Sequence, residues 1–88
     1  MSDAASRPRL TLYGRAGCHL CAEAEGLLAA LASEFGCAVE TIDVERDAAL
    51  LARYDQVVPV VALDTVELAR APLRLPELRR RLRAALSR

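Results

Sequence analysis

The alternation of apolar and polar residues begins at RLTLYG, Arg9 to Gly14, where Leu10 and Leu12 recur at every second position between Pro8 and Gly14. A period of two is a strand signal, and it predicts a first strand with Leu10, Leu12 and Tyr13 turned inward. Gly17 then permits a tight turn. From Cys18 the period lengthens. Leu20, Ala24, Leu27, Leu28, Leu31 and Phe35 fall at helical spacing, with Glu23, Glu25 and Glu34 on other faces. This pattern predicts the longest helix of the chain. Gly26 costs it about 1 kcal/mol relative to alanine, and Gly36 is placed to stop it as a left-handed cap.

Ala38 to Val44 is rich in β-branched residues and reads as a second strand, joined to the first by a right-handed crossover. Asp47 to Tyr54 reads as a short helix with Leu50 and Leu51 inward. Val57 to Leu63 (VVPVVAL) is a nearly continuous apolar run, the pattern of a strand buried on both faces. Asp64-Thr65 turns it into a hairpin with Val66 to Ala69. A last helix starts at Pro76, a favoured first helical residue, and buries Leu78, Leu82, Ala85 and Leu86. The order is β-α-β-α-β-β-α. An α/β domain with a four-stranded mixed sheet flanked by three helices satisfies it. The domain spans residues 9–87, and residues 1–8 read as a flexible N-terminal extension.

Composition narrows the picture. Of the 88 residues 53% are hydrophobic, yet the aromatic residues are only Phe35, Tyr13 and Tyr54, so Leu, Val and Ala must fill the core. No run approaches the roughly 18 to 20 apolar residues that cross a bilayer, and the polar start MSDAASRPRL lacks a signal core. A cytoplasmic address, with no membrane partner, is the expectation. All twelve basic residues are Arg, which hints at a GC-rich bacterial source.

The formal net charge is zero, which argues against a nucleic-acid binder. The charge is nevertheless uneven: residues 34–67 carry a balance of −6 and residues 70–88 a balance of +6. The basic end reads either as a solvated arginine face on the last helix or as a docking patch for an acidic partner.

Candidate chemistry lies in Cys18 and Cys21, a CxxC pair where strand pattern gives way to helix pattern. In a reducing compartment such a pair is more often catalytic or metal-binding than structural. In the first helical turn the Cys18 sulfur would face unpaired backbone N–H groups and the positive end of the helix dipole, which favours the thiolate. Cys21 lies on the same face, one turn deeper, positioned to resolve a mixed disulfide at Cys18. Arg15 is a candidate to favour the thiolate or a substrate carboxylate. His19 reads either as a proton-transfer group or as a neutral spacer. Zinc prefers four ligands, and Cys37 lies roughly 25 Å away along a helix of about 17 residues, so a metal site would need a second subunit. Cys37 itself reads as a small core residue.

YGRAGCHLC after a strand, followed about 35 residues later by YDQVVPVVAL, resembles the glutaredoxin branch of the thioredoxin-like superfamily, in particular the small bacterial glutaredoxin-like proteins. The resemblance covers residues 9 to 87. It implies a thioredoxin-like, glutaredoxin-type fold in which Cys18 is the catalytic nucleophile and Cys21 the resolving cysteine. It also implies a cis Pro59 facing the pair, with the Val58 N–H and C=O free to pair with a substrate. With Arg15 and His19 from the reading of the residues, the candidate substrate-binding residues are Arg15, His19, Val58 and Pro59, and Arg15, Gln56 and Arg53 are candidate contacts for a glycyl carboxylate.

The chain departs from that family's pattern in places. His19 and Leu20 stand where proline and an aromatic residue are usual, and Ala69 to Pro76 has neither the Gly-Gly turn nor the acidic residue that hold glutathione. The expected function is a monomeric thiol-disulfide oxidoreductase acting on a disulfide-containing protein or a glutathione mixed disulfide. It would hold no tightly bound cofactor or metal, with glutathione as candidate co-substrate. The alternatives are a binding module with little turnover and a metal or iron–sulfur site shared between subunits.

Overall fold

The computed structural model describes residues 7–87. Strand β1 (Arg9–Gly14) leads into helix α1 (His19–Phe35), which ends at Gly36 in the left-handed conformation expected of it (φ 69°). Strand β2 (Ala38–Asp43) follows, then a 3-10 turn (Val44–Arg46) and helix α2 (Ala48–Tyr54). Strands β3 (Val60–Leu63) and β4 (Val66–Arg70) form a hairpin, and helix α3 (Leu75–Leu86) closes the domain. Most of the extension assigned to residues 1–8 lies outside the described residues. Pro8 is tied in, because its carbonyl accepts the Ala38 N–H at 2.8 Å.

The four strands lie in the order β2-β1-β3-β4. β1 pairs with β2 in parallel and with β3 antiparallel, and β3 pairs antiparallel with β4, so the sheet is mixed. One face carries Leu10, Leu12, Val61 and Leu63, which pack with Ala24, Leu28, Leu31 and Ala32 of α1 and Leu78 and Leu82 of α3. The other face carries Tyr13 and Val60 against Val44, Tyr54, Leu50 and Leu51 from the α2 side. There the rings of Tyr13 and Tyr54 lie 4.9 Å apart. Both faces of β3 are therefore covered, the physical reason its sequence is almost wholly apolar.

Element boundaries move where a side chain or an amide has another partner. The third strand starts at Val60 instead of Val57, because the Val57 and Val58 N–H groups both donate to the Tyr54 carbonyl, at 3.0 and 3.1 Å. The second strand stops at Asp43, whose carboxylate accepts the Glu45 N–H at 2.9 Å and turns the chain. Asp47 caps α2 by accepting from Ala49 and Leu50 N–H, the ordinary role of aspartate at that position. Pro76 is the second residue of α3, one later than expected, with Arg74 as the N-cap.

Leu20 departs further from expectation. It continues the apolar stripe of α1 by spacing, yet it is 54% exposed. In the first turn of α1 it is Cys21, not Leu20, that turns inward, against Gly14 of β1.

The arginine face is largely engaged within the molecule. The Arg79 guanidinium forks onto Glu34 of α1 at 3.0 Å through both Nε and Nη2. Arg81 donates to the Leu68 carbonyl at 2.8 Å and pairs with Glu77. Arg83 lies over the Phe35 ring, 5.8 Å from its centroid. These contacts join α3 to α1 and β4, and their stems cover apolar surface.

Candidate functional site

β1 delivers the chain to the site and Gly14 ends it. A Cβ on Gly14 would lie 3.1 Å from both Cβ and Sγ of Cys21, so a side chain there would press the first turn of α1 away from the strand by a few tenths of an ångström. Gly17, at φ 76°, completes the turn, and the Cys18 N–H donates weakly to the Arg15 carbonyl at 3.4 Å.

Cys18 is the N-cap of α1, not a residue of its first turn. Its Sγ accepts the Cys21 N–H at 3.1 Å, taking one of the helix's unpaired donors. Cys18 and Cys21 are joined as a disulfide, with Cα atoms 5.2 Å apart, inside the normal range for such a bond. The two sulfurs are not equivalent. Cys21 is buried at 5% exposure, whereas Cys18 is partly exposed at the rim. No acidic residue occupies the first turn of α1, so the positive helix end faces the pair unopposed.

β3 brings the second part of the site. Tyr13 lies opposite Val60 in the antiparallel register, which sets Pro59 across from Gly14 at the same end of the sheet. Pro59 is fully buried, and the Val58–Pro59 peptide bond is cis. The Val58 N–H, expected to be free for a substrate, is held by the Tyr54 carbonyl. The Pro59 carbonyl accepts the Ala71 N–H at 2.9 Å and ties down the segment after β4, where Ala71–Pro72 is also cis.

Arg15 turns toward α2. Its Nη2 donates to the Asp55 carbonyl at 2.7 Å and its guanidinium pairs with the Asp55 carboxylate, linking the turn before Cys18 to the loop before Pro59. His19 points to solvent at 89% side-chain exposure, with Nε2 3.1 Å from a Glu23 carboxylate oxygen. The structure thus brings Cys18, Cys21, Arg15, Val58 and Pro59 to one end of the sheet and turns His19 away.

Three features were not anticipated from the sequence. Gly14 read only as the end of a strand, although its position before CxxC was a usable signal. Asp55 had no local signal, since its partner lies 40 residues earlier. The third is a cleft of about 630 Å³ beside Cys21, lined among others by Arg15, Glu25, Arg46, Asp47 and Leu50.

Cys37 sits beyond the other end of α1. It is a buried free thiol, pushed up in pKa by burial first and by Asp64 second, with Arg7 opposing. A buried thiol held protonated is a poor nucleophile. Among the described residues, no group of three or more His, Cys, Asp or Glu side chains is arranged to hold a metal ion.

A family model for the glutaredoxin-like domain (DUF836) matches residues 9–84. The chain belongs to this glutaredoxin-like family. It is 42% identical over 64 residues to an uncharacterized protein of Mycobacterium tuberculosis (strain ATCC 25618 / H37Rv), a match covering 67% of this chain and 66% of that protein, just under two thirds of the relative's length. Among solved structures it is similar to protein XcR50 from X. campestris, with TM-score 0.73 and 36% identity over 85% of this chain and 96% of that one. Thioredoxin 1 from Thermosipho africanus TCF52B superposes with TM-score 0.68 at 21% identity, covering 90% of this chain and 94% of its own, a likeness of fold alone. The glutaredoxin-like chain therefore has a thioredoxin-like fold, with its cysteine pair at the strand-to-helix junction. No described helix is long and apolar enough to cross a membrane.

Two glycines, Gly14 packed against α1 and Gly26 within it, allow a direct test of the packing. Gly14→Ala is expected to lower the stability of the oxidised glutaredoxin-like domain by about 1–3 kcal/mol, because the added methyl presses on a side chain fixed by the disulfide. Gly26→Ala, where a Cβ meets nothing within 4 Å, is expected to raise it by up to about 1 kcal/mol. Thermal unfolding followed by circular dichroism reads both. Equal melting temperatures for Gly14→Ala and the wild type would remove the close approach of strand and helix from the account.

Proposed function

We propose that the protein is a thiol-disulfide oxidoreductase in which Cys18 is the nucleophile and Cys21 resolves. The observation that carries this reading is the unequal access of two sulfurs at one helix N-terminus: Cys18 at the rim, Cys21 buried beneath it. In the dithiol form the Cys18 thiolate attacks one sulfur of a substrate disulfide. The substrate S–S bond breaks, and one substrate thiolate leaves and takes up a proton. Cys21 then loses its proton and attacks the Cys18 sulfur, breaking the mixed disulfide and releasing the second substrate thiol. Two electrons pass from the protein dithiol to the substrate disulfide. The protein is left as the Cys18–Cys21 disulfide, and two equivalents of an external thiol, with glutathione the candidate, return it to the dithiol and leave as their own disulfide.

The substrate reading favours a disulfide on a protein. Leu20, exposed next to the pair, offers an apolar contact, and Val58 offers its carbonyl while its N–H stays with Tyr54. The segment Ala69 to Pro76 lacks the acid that the family resemblance uses for the ammonium of glutathione, and Glu77 in the first turn of α3 is paired with Arg81. The enzyme works as a monomer in the cytoplasm on this reading.

Equilibration of the protein with mixtures of reduced and oxidised glutathione tests it. The expected result is one two-electron transition confined to Cys18 and Cys21, seen as a mass difference of two hydrogens, with Cys37 unchanged. A pair that stays in one state at every ratio would defeat the proposal.

A further inference from the structure

Two polar side chains, Arg15 from the turn before Cys18 and Gln56 from the loop before Pro59, converge on a single carboxylate, and that carboxylate belongs to the chain itself. The Arg15 guanidinium pairs with Oδ1 of Asp55 and Nη2 donates to the Asp55 carbonyl at 2.7 Å, while Gln56 Nε2 donates to Oδ2 at 3.3 Å. Both oxygens of Asp55 are thus held as those of a bound anion would be, by a cation on one side and an amide on the other. The match is incomplete. Arg15 Nε is buried and has no hydrogen-bond partner, so the fork that a carboxylate fills through two parallel N–H donors is only partly used.

Location gives this arrangement its consequence. Arg15 is three residues before Cys18 and lines the cleft that reaches Cys21. Arg15 and Asp55 are 30% and 40% exposed, and an ion pair that open to water is weak enough for another carboxylate to compete with it. We propose that Asp55 is a specificity-determining residue: it occupies Arg15 as an internal carboxylate, so that a small disulfide bearing its own carboxylate gains no anchor beside Cys18. This inference rests on the disulfide-exchange reading for its role in turnover, but the occupancy of Arg15 is open to test by binding alone.

The experiment compares wild type, Asp55→Asn and the double variant Arg15→Gln/Asp55→Asn. Binding is measured with S-methylglutathione, which carries carboxylates and no exchangeable sulfur. Exchange by the reduced protein is measured with oxidised glutathione and with cystamine, a disulfide lacking carboxylates. Asp55→Asn is expected to bind S-methylglutathione and to react with oxidised glutathione about tenfold better than wild type, the scale of one charge-assisted contact. Its rate with cystamine stays within about twofold, and the added Arg15→Gln cancels the gain.

Unchanged binding of S-methylglutathione by folded Asp55→Asn overturns the proposal, as does an equal change with both disulfides, which marks a loop-positioning role. If the wild-type dithiol reacts with neither disulfide, the exchange reading falls, and the binding measurement still decides the role of Asp55. Asp55→Ser repeats the measurement with a smaller uncharged side chain; failure of both Asp55 variants to fold also overturns the proposal, by making Asp55 a residue of structure.

Discussion

Cys18→Ser is expected to reduce disulfide exchange to the uncatalysed background, while Cys21→Ser keeps the first step and stalls at the second. The asymmetry follows from the positions of the two sulfurs. Cys18 caps α1 at the rim, where its sulfur receives a backbone N–H and the positive end of the helix dipole. A serine hydroxyl in that place remains protonated and is a far weaker nucleophile than a thiolate. Cys21 is buried below it, and in the proposed mechanism it meets a substrate only after Cys18 has bonded to it. Without Cys21 the mixed disulfide has no internal exit. Mass spectrometry of Cys21→Ser mixed with a disulfide substrate is therefore expected to show a mass increase at Cys18 equal to one substrate thiol less two hydrogens. Turnover by Cys18→Ser at the wild-type rate, or an adduct that forms on Cys37, would refute the assignment.

The second large effect is on stability. Leu28 of α1 is 0% exposed and lies in the core cluster with Leu10, Leu12, Val61, Leu78 and Leu82. Leu28→Ala removes apolar contacts and leaves a cavity that a tightly packed interior fills only in part, a loss of about 2–5 kcal/mol. A domain of this size has a total stability on the order of 5–15 kcal/mol. The melting temperature is accordingly expected to fall by roughly 10 to 25 °C, which thermal unfolding followed by circular dichroism will read. Leu20→Ala, at an exposed position of the same helix, is expected to shift it by only a few degrees. A similar fall for both would mean that the apolar stripe of α1 does not divide as the structure divides it.

The contrast between Leu28 and Leu20 shows how far the pattern could be read. Helical spacing put both residues on one stripe, and the stripe is real for Ala24, Leu28 and Leu31. Spacing does not say which residue of the first turn meets the strand, and there Cys21 takes that place while Leu20 faces solvent. Val58 makes the same case for the backbone. Its place in an apolar run suggested a strand, but its N–H belongs to the Tyr54 carbonyl at the end of α2. Arg15 was legible as a cation upstream of the cysteines. Its occupation by Asp55 was not, since two segments 40 residues apart had first to be folded together.

The sequence by itself determined the order of the elements, the stop at Gly36, the hairpin at Asp64-Thr65 and the placement of Cys18 and Cys21 where strand becomes helix. These depend on periodicity, turn chemistry and backbone freedom within a few residues, and each is a short-range property of the chain. Tertiary structure alone decided that β1 and β3 are neighbours, and hence that Gly14 faces Pro59, that one cysteine is buried and the other is not, and that Arg15 is already holding a carboxylate. Those outcomes depend on which distant surfaces exclude water from one another, and on which polar groups must then find partners among the residues that arrive.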